Sequence, residues 1–426
     1  VRECLDRYET PAGEWMTVEA WSFSIGNQPG LGLETLRQAL DAASTEHPIM
    51  LWGNDGHHGA VNSAALALAR SKSGERVGLN AETLRGEFAD HIDLVATDSE
   101  GEPTGGIHEQ ARYLLDPPSR RDMEARGPLL PQIAEKLASL GLTSIKDASL
   151  EPGYLGYVED FARDGRMSFR LKIANRLDPI DYTDLDTGAI DVDRMMAELA
   201  QIRDRFEPYP LIVADAAKIY ADGVIEGDPF ADPPTLPNAA MLQPFLQPRF
   251  SYDPVAGTVS VAGYVATDSP TCIDARKSME SGLDPEGEAA FVETHGFHPR
   301  QCRVSNGVMR DSEAFIHDYV ARLQEGGYSI HLHAIGDRAA RVGVDALEKV
   351  MDPGAGNPQG HTLAHLQVVH PDDQQRIGQL GLYLAITHAW AAPDRPYDLT
   401  VIPFIDEVSD DDLYRPDGYY MQNVYP

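Results

Sequence analysis

The chain has 426 residues and a mass of 46.6 kDa, enough for two or three ordinary domains or for one large α/β barrel with insertions. Hydrophobic residues make up 42% and charged residues 24%, and no apolar run of about 18 residues is present, so disorder and a membrane-embedded protein are excluded. The net charge of -32 argues against binding the nucleic-acid backbone, which needs a basic face.

Residues 1–125 follow no single periodicity. A helix-like Leu33 to Ser44, a strand-like Ile49 to Trp52 and a loop-rich remainder suggest a separate subdomain. From residue 126 the grammar changes to alternating helix and strand, which predicts parallel strands joined by helices. Pro131 to Leu140 has apolar residues at helical spacing and stops at Gly141 before Leu142-Thr-Ser-Ile145. Gly153 to Gly165 leads in the same way to Phe169–Ile173, and Val192 to Phe206 leads to two strand pieces, Leu211–Val213 and Ala217–Tyr220.

A break from about 230 to 309, rich in proline, reads as a loop insertion holding a hairpin over Phe250 to Val265 with its turn at Ala256-Gly257. The alternation then resumes. Asp311 is expected to cap a helix that ends at Gly326-Gly327, ahead of the strand Ser329–His333. Asp337 is expected to cap a helix running to about Val350, Thr362 to Val369 reads as a strand, Pro371 opens a helix ended by Gly381, and Leu382 to Thr387 is the sixth strand. Cys4, Cys272 and Cys302 are too few and too scattered for a disulfide framework and read as free thiols. The abrupt start at Val1 and end at Pro426 suggest a piece of a longer chain.

In a barrel of this kind reacting groups stand at the C-terminal ends of strands. The strand ends here are unusually polar: Lys146 and Asp147, Lys218 and Asp222, His331, His333 and Asp337, His365 and His388. His331 and His333 lie two apart on a strand and so share a face, where they are either metal ligands or hydrogen-bonded structural histidines. Lys218 sits in an otherwise apolar strand, with Ala216 and Tyr220 on its face. A buried lysine needs a partner or a modification. Either it pairs with Asp215 or Asp222, or it reacts with carbon dioxide to give a carboxylate able to bridge two metals. Asp55-Gly-His57-His58 is a polar loop ahead of a short helix, Ala64–Ala69, capped by Asn62 or Ser63. No phosphate-binding glycine loop, nucleophile elbow or His-Glu-x-x-His helix occurs.

The segments Lys218-Ile-Tyr-Ala-Asp222-Gly-Val-Ile-Glu226-Gly227, His333-Ala-Ile-Gly-Asp337-Arg-Ala339 and His365-Leu-Gln-Val-Val-His370-Pro-Asp-Asp373 resemble, in order and spacing, the motifs of amidohydrolase family 3. These are metal-dependent hydrolases similar to N-substituted formamide deformylase. Asn54–His58, Val61–Ser63, Gly101–Gly105 and Gly141–Ile145 resemble that family's earlier segments, so the likeness covers nearly the whole chain.

The resemblance implies an α/β fold of the (β/α)8 TIM-barrel type, with residues 1–125 inserted between strands one and two and 126–426 forming a partial barrel. It implies one or two divalent metals, zinc for preference, held by carboxylated Lys218, His333 and His365. It further implies substrate contacts from Asp55, His57, His58 and Asp222, with His331 and Asp337 supporting the ligands from behind. The family's His-x-His and the aspartate of strand eight, its general acid/base, would then lie outside Val1 to Pro426, and with them strands one and eight and a flanking β-sandwich. The 426 residues alone are expected to be weakly stable and inactive. The expected reaction is hydrolysis of a non-peptide amide or formamide-like carbon–nitrogen bond by metal-activated water. An ester, phosphoester or lactone hydrolase on the same barrel, or an inert barrel, are the alternatives. The expected partner is a small amide-like molecule, with neither nucleic acid nor membrane. A homo-oligomer is compatible with the sequence, and the cytoplasm is slightly favoured as compartment.

Overall fold

The computed structural model describes residues 1–21, 32–53, 56–71, 73–98, 100–115, 117, 129–184, 187–229, 231, 233–253, 258–280, 282, 285–352, 354–409 and 412–425. The N-terminal part, whose sequence suggests one helix, one strand at Ile49–Trp52 and a loop-rich remainder, carries a five-stranded sheet that includes that strand. Its strands are β1 (Met16–Trp21), β2 (Ile49–Gly53), β3 (His58–Val61), β4 (Val95–Thr97) and β5 (Pro103–His108), in the order β1-β2-β3-β5-β4. The β1–β2 pair is parallel and the other pairs are antiparallel. Strands of three to six residues are too short for the period-two alternation to show in the sequence. Met50, Trp52, Val61, Leu84, Phe88 and Ile107 give this region its own core. Asn62 caps the short helix Ser63–Leu66 by accepting from Ala65 N–H at 3.0 Å, as expected.

The C-terminal part is a six-stranded, wholly parallel sheet. Its strands are β6 (Ser144–Leu150), β7 (Arg170–Asn175) and β8 (Ile212–Tyr220), then, after the hairpin β9 (Pro248–Asp253) and β10 (Thr258–Tyr264), β11 (Ser329–Ala334), β12 (Thr362–His365) and β13 (Tyr383–Ile386). The spatial order β13-β12-β11-β8-β7-β6 follows the chain, as successive helix crossovers demand. Between the strands run α1 (Leu130–Ser139), α2 (Leu155–Arg163), α3 (Val192–Phe206), then in the insertion α4 (Pro270–Glu280) and α5 (Pro285–His295), and finally α6 (Glu313–Glu325), α7 (Asp337–Glu348) and α8 (Pro371–Leu380).

Helix α3 shows why the pattern holds. Met195, Leu199, Ile202 and Phe206 recur at helical spacing and are all buried, and Asp191 caps the start by accepting from Arg194 N–H at 2.9 Å. Each such side chain contributes roughly 1.5–3 kcal/mol on burial. They pack with Ile219 of β8 and with Ile330 and Leu332 of β11, so this face of the sheet belongs to the helices. The opposite face carries Lys146, Lys218, Tyr220, His331 and His333. It is strongly curled: Lys146 Nζ on β6 reaches Thr362 Oγ1 on β12 at 3.4 Å, across three intervening strands.

Several expected boundaries are corrected. The two pieces at 211–213 and 217–220 are one nine-residue strand. Asp215 is tolerated inside it because its carboxylate pairs with Lys172 at 3.0 Å. The cap of α6 is Ser312, which accepts from Phe315 N–H at 3.1 Å, and not Asp311. The cap position of α7 is Gly336, where a Cβ would meet Ala240 O at 2.2 Å; Asp337 is already helical. The strand expected to run to Val369 stops at His365, because His365 and Leu366 have φ of 74° and 50°.

The 230–309 insertion is more than a loop. Besides the hairpin, whose expected turn at Ala256-Gly257 lies outside the described residues, it holds α4 and α5. Cys272 and Cys302 are not free thiols: they are buried and disulfide-bonded to each other. Phe245 and Val259 share a core with Leu399, Val401, Ile402 and Phe404, which ties the insertion to the C-terminal residues. No helix among the described residues is long and apolar enough to cross a membrane.

Candidate metal centre

Lys218 is 4% exposed on the curled face. Neither carboxylate proposed for it is its partner, since Asp215 takes Lys172 and Asp222 is saturated elsewhere. Its ammonium instead stands 4.4 Å from the centre of the Tyr220 ring. Burial, with Arg176 and Lys146 nearby, brings its pKa down to about 7. A substantial share of this amine is therefore neutral near neutral pH, the form that reacts with carbon dioxide.

On β11, His331 faces Lys218 in register and His333 faces Tyr220. The His333 ring is 5.1 Å from Tyr220 and 4.7 Å from the ring of His365. Strand register alone would not produce the second contact, because His365 pairs with Ala334 and His333 with Ala364. The left-handed backbone at His365 turns its ring to the His333 side. A non-glycine residue held there costs about 1–3 kcal/mol, a strain that clusters at functional sites.

Among the described residues the hydrogen bonds use one nitrogen of each ring. His333 Nε2 lies 3.2 Å from Gly223 O, and a carbonyl only accepts, so Nε2 carries a proton directed at it. Nδ1 of the same ring is buried with no hydrogen-bond partner among the described residues. His365 spends Nδ1 on Thr387 Oγ1 at 3.1 Å and stacks on Trp390, with no hydrogen bond to Nε2 from the described residues. Burial, followed by His333 and Lys218, pulls the His365 pKa down to about 3, so the ring is neutral at pH 7. Burial and Lys218 do the same to His331, also to about 3. An amine buried without a carboxylate partner among the described residues, beside two imidazoles, fits a divalent metal. Among the described residues no three of His, Cys, Asp and Glu form a metal-holding group. A metal here would therefore depend on Lys218 as a donor.

The remaining expected residues separate. Asp222 is buried and accepts from the backbone N–H of Ala240, Ile335 and Gly336 at 2.9–3.0 Å, with Oδ1 3.3 Å from His333 Nε2. It clamps the loop after β11 and orients His333, rather than facing a substrate. Asp337 accepts from Leu242 N–H at 2.7 Å and from the Tyr419 hydroxyl at 2.5 Å, and so holds the start of α7 to two distant segments. His57 is close enough to His365 to depress its proton affinity, which brings the N-terminal region to the site. His58 is buried edge-on against His108, with ring centres 4.6 Å apart, inside the N-terminal sheet. Asp55 lies outside the described residues. Sequence reasoning passed over Thr387 and Trp390, for which no periodic signal exists, and Arg176, which the strand-end rule would have found directly after β7.

Comparison with known proteins follows the same residues. Residues 286–401 match the model of the amidohydrolase family. A curated relative, the exoenzymes regulatory protein AepA of Pectobacterium carotovorum subsp. carotovorum, is 24% identical over 388 residues, 89% of this chain and 64% of its own. Two solved structures of uncharacterized metal-dependent hydrolases are similar. That from Pyrococcus furiosus is 16% identical with a TM-score of 0.46, covering 90% of this chain and 58% of its own. That from Pyrococcus horikoshii OT3 is 14% identical with a TM-score of 0.47, covering 95% and 62%. The chain thus spans less than two thirds of each of these three proteins. The matched segment contains β11 and β12, with both His333 and His365, and over that segment the chain is similar to the amidohydrolase family.

Proposed function

We propose that this chain carries the metal-binding face of a metal-dependent hydrolase that cleaves a non-peptide amide or formamide-like carbon–nitrogen bond. The observation that carries the reading is Lys218, buried beside His333 and His365 without a carboxylate partner among the described residues. Lys218 as its carboxylate, His333 through Nδ1 and His365 through Nε2 would hold one or two divalent ions, zinc by donor type. A metal so held supplies Lewis acidity and lowers the pKa of water.

The chain's own groups do the rest. Asp222 and Gly223 O keep the His333 proton on Nε2, so that Nδ1 is available. Thr387 and Trp390 fix the His365 ring. His57 borders the centre from the N-terminal region. The curled sheet is read as six strands of an eight-stranded (β/α) barrel, with 1–125 as an inserted subdomain and 230–309 as an insertion after β8.

Metal analysis and turnover test the reading together. The intact protein, gently purified, should hold at least about one equivalent of zinc and hydrolyse N-formyl or N-acyl amines but not phosphotriesters; less than about 0.5 equivalent would defeat it.

A further inference from the structure

The turn that brings His365 to His333 consists of two residues in left-handed conformation, His365 and Leu366, and neither is glycine. Such a turn persists only where its surroundings over-determine it. On one side Thr387 holds the ring of His365. On the other, the backbone N–H groups of Leu366 and Val368 donate to Ala334 O and Ile335 O at 2.8 and 3.0 Å. Between those two residues stands Gln367, whose polar side chain is fully buried.

The Gln367 amide is shared between two tyrosines. Its Nε2 donates to the hydroxyls of Tyr397 and Tyr420, both at 3.1 Å. A hydroxyl has one proton to give. That of Tyr397 goes to the buried carboxylate of Glu226 at 2.8 Å, the closer acceptor, rather than to Gln367 Oε1 at 3.4 Å. Glu226 stands on the loop after β8 together with Gly223, whose carbonyl accepts from His333 Nε2. The N–H of Gly227 donates to Thr400 O at 2.7 Å, a second tie between that loop and the short helix Arg395–Asp398 that presents Tyr397. Tyr420 belongs to a different segment, which pairs with the turn itself: Val369 N–H donates to Asn423 O at 3.1 Å and Tyr425 N–H to Gln367 O at 3.3 Å.

One hydrogen-bonded chain, from Gln367 to Tyr397 to Glu226, therefore joins the loop that orients His333 to the turn that orients His365. A buried amide fixes a direction as an apolar side chain of the same volume does not, because moving it strands its own N–H groups and the hydroxyls that accept from them. We propose that Gln367, through Tyr397 and Glu226, is the positioning residue that holds the left-handed turn at His365 and so sets the spacing of the two rings. That the rings are metal ligands rests on the hydrolase reading above; that Gln367 holds their spacing does not.

Crystal structures of the intact, metal-free protein test the geometry. In Gln367→Met and in Tyr397→Phe, φ at His365 should return to negative values and the ring contact with His333 should be lost. Tyr420→Phe removes a hydrogen bond of the same kind outside the chain to Glu226, and should keep both. Tyr397→Phe, which deletes a single oxygen, decides the matter if Gln367→Met does not fold. Rings unmoved in either variant, or moved as much in Tyr420→Phe, overturn the proposal. Cobalt(II) alone is then titrated into the same metal-free proteins and followed by its visible absorption. Affinity should fall at least about tenfold in Gln367→Met and Tyr397→Phe, with an altered spectrum, and stay within about twofold in Tyr420→Phe. Cobalt bound with equal affinity and spectrum by the wild type and all three variants overturns the proposal. Rings displaced as expected, with no cobalt bound by the wild type, leave the positioning role standing and sink the metal reading.

Discussion

Among the described residues two histidine pairs have almost equal spacing, and they are built in opposite ways. In the N-terminal sheet, His58 and His108 are directly opposite each other on antiparallel strands, and their ring distance of 4.6 Å follows from register alone. In the parallel sheet, His333 and His365 are out of register, and their 4.7 Å contact requires a left-handed backbone at His365. The second pair also has, on the same face, a buried lysine with no carboxylate partner among the described residues, and a buried carboxylate bracing one ring. Proximity is therefore a poor guide to a site. The strain and the dedicated bracing that maintain a contact are better ones.

The largest expected effect breaks the pair at its shared donor. Lys218→Ala or His333→Ala should remove bound metal and lower any hydrolytic rate by about a thousandfold or more, read by metal analysis and steady-state kinetics. Next is Asp222→Ala, which leaves three buried backbone N–H groups without an acceptor. A loss of about 3–5 kcal/mol in urea unfolding is expected, with an unchanged midpoint as the contrary result. His58→Ala should cost about 1–3 kcal/mol through its cavity while leaving metal content intact; a metal loss equal to that of His333→Ala would erase the contrast between the pairs.

The smallest effect concerns Asp311, which lies outside both pairs. Burial pushes its carboxyl up to about 6. Its folded pKa is raised, so the stabilisation from the protonated form is complete below its ordinary pKa of about 4 and is lost as pH rises through about 6. Asp311→Asn, always neutral, should match the wild type near pH 4 and exceed it by about 1–2 kcal/mol at pH 7. Denaturant melts at the two pH values decide this, and a constant difference would contradict it.

The parallel sheet was legible because helices such as Val192–Phe206 carry a long apolar period and because glycines such as Gly381, at φ 64°, mark their ends. The N-terminal sheet was not, since its strands are short and their pairing depends on contacts between segments far apart in sequence. Alternation placed Lys218 and Tyr220 on one face. It could not place His365, whose face is decided by one backbone angle. Nor could it foresee that Asp222, a polar residue at a strand end, is consumed by three backbone N–H groups from two segments. The cysteine pairing likewise depended on how the insertion folds, which spacing alone does not reveal.

The central claim is that the out-of-register pair, and not the in-register one, is the metal centre. Anomalous scattering at the zinc edge from crystals of the intact protein tests it directly. The account predicts a peak about 2.0–2.1 Å from His333 Nδ1 or His365 Nε2, with density for a carboxylated Lys218 beside it. A peak between His58 and His108, or none on the face that carries Lys218, would contradict it.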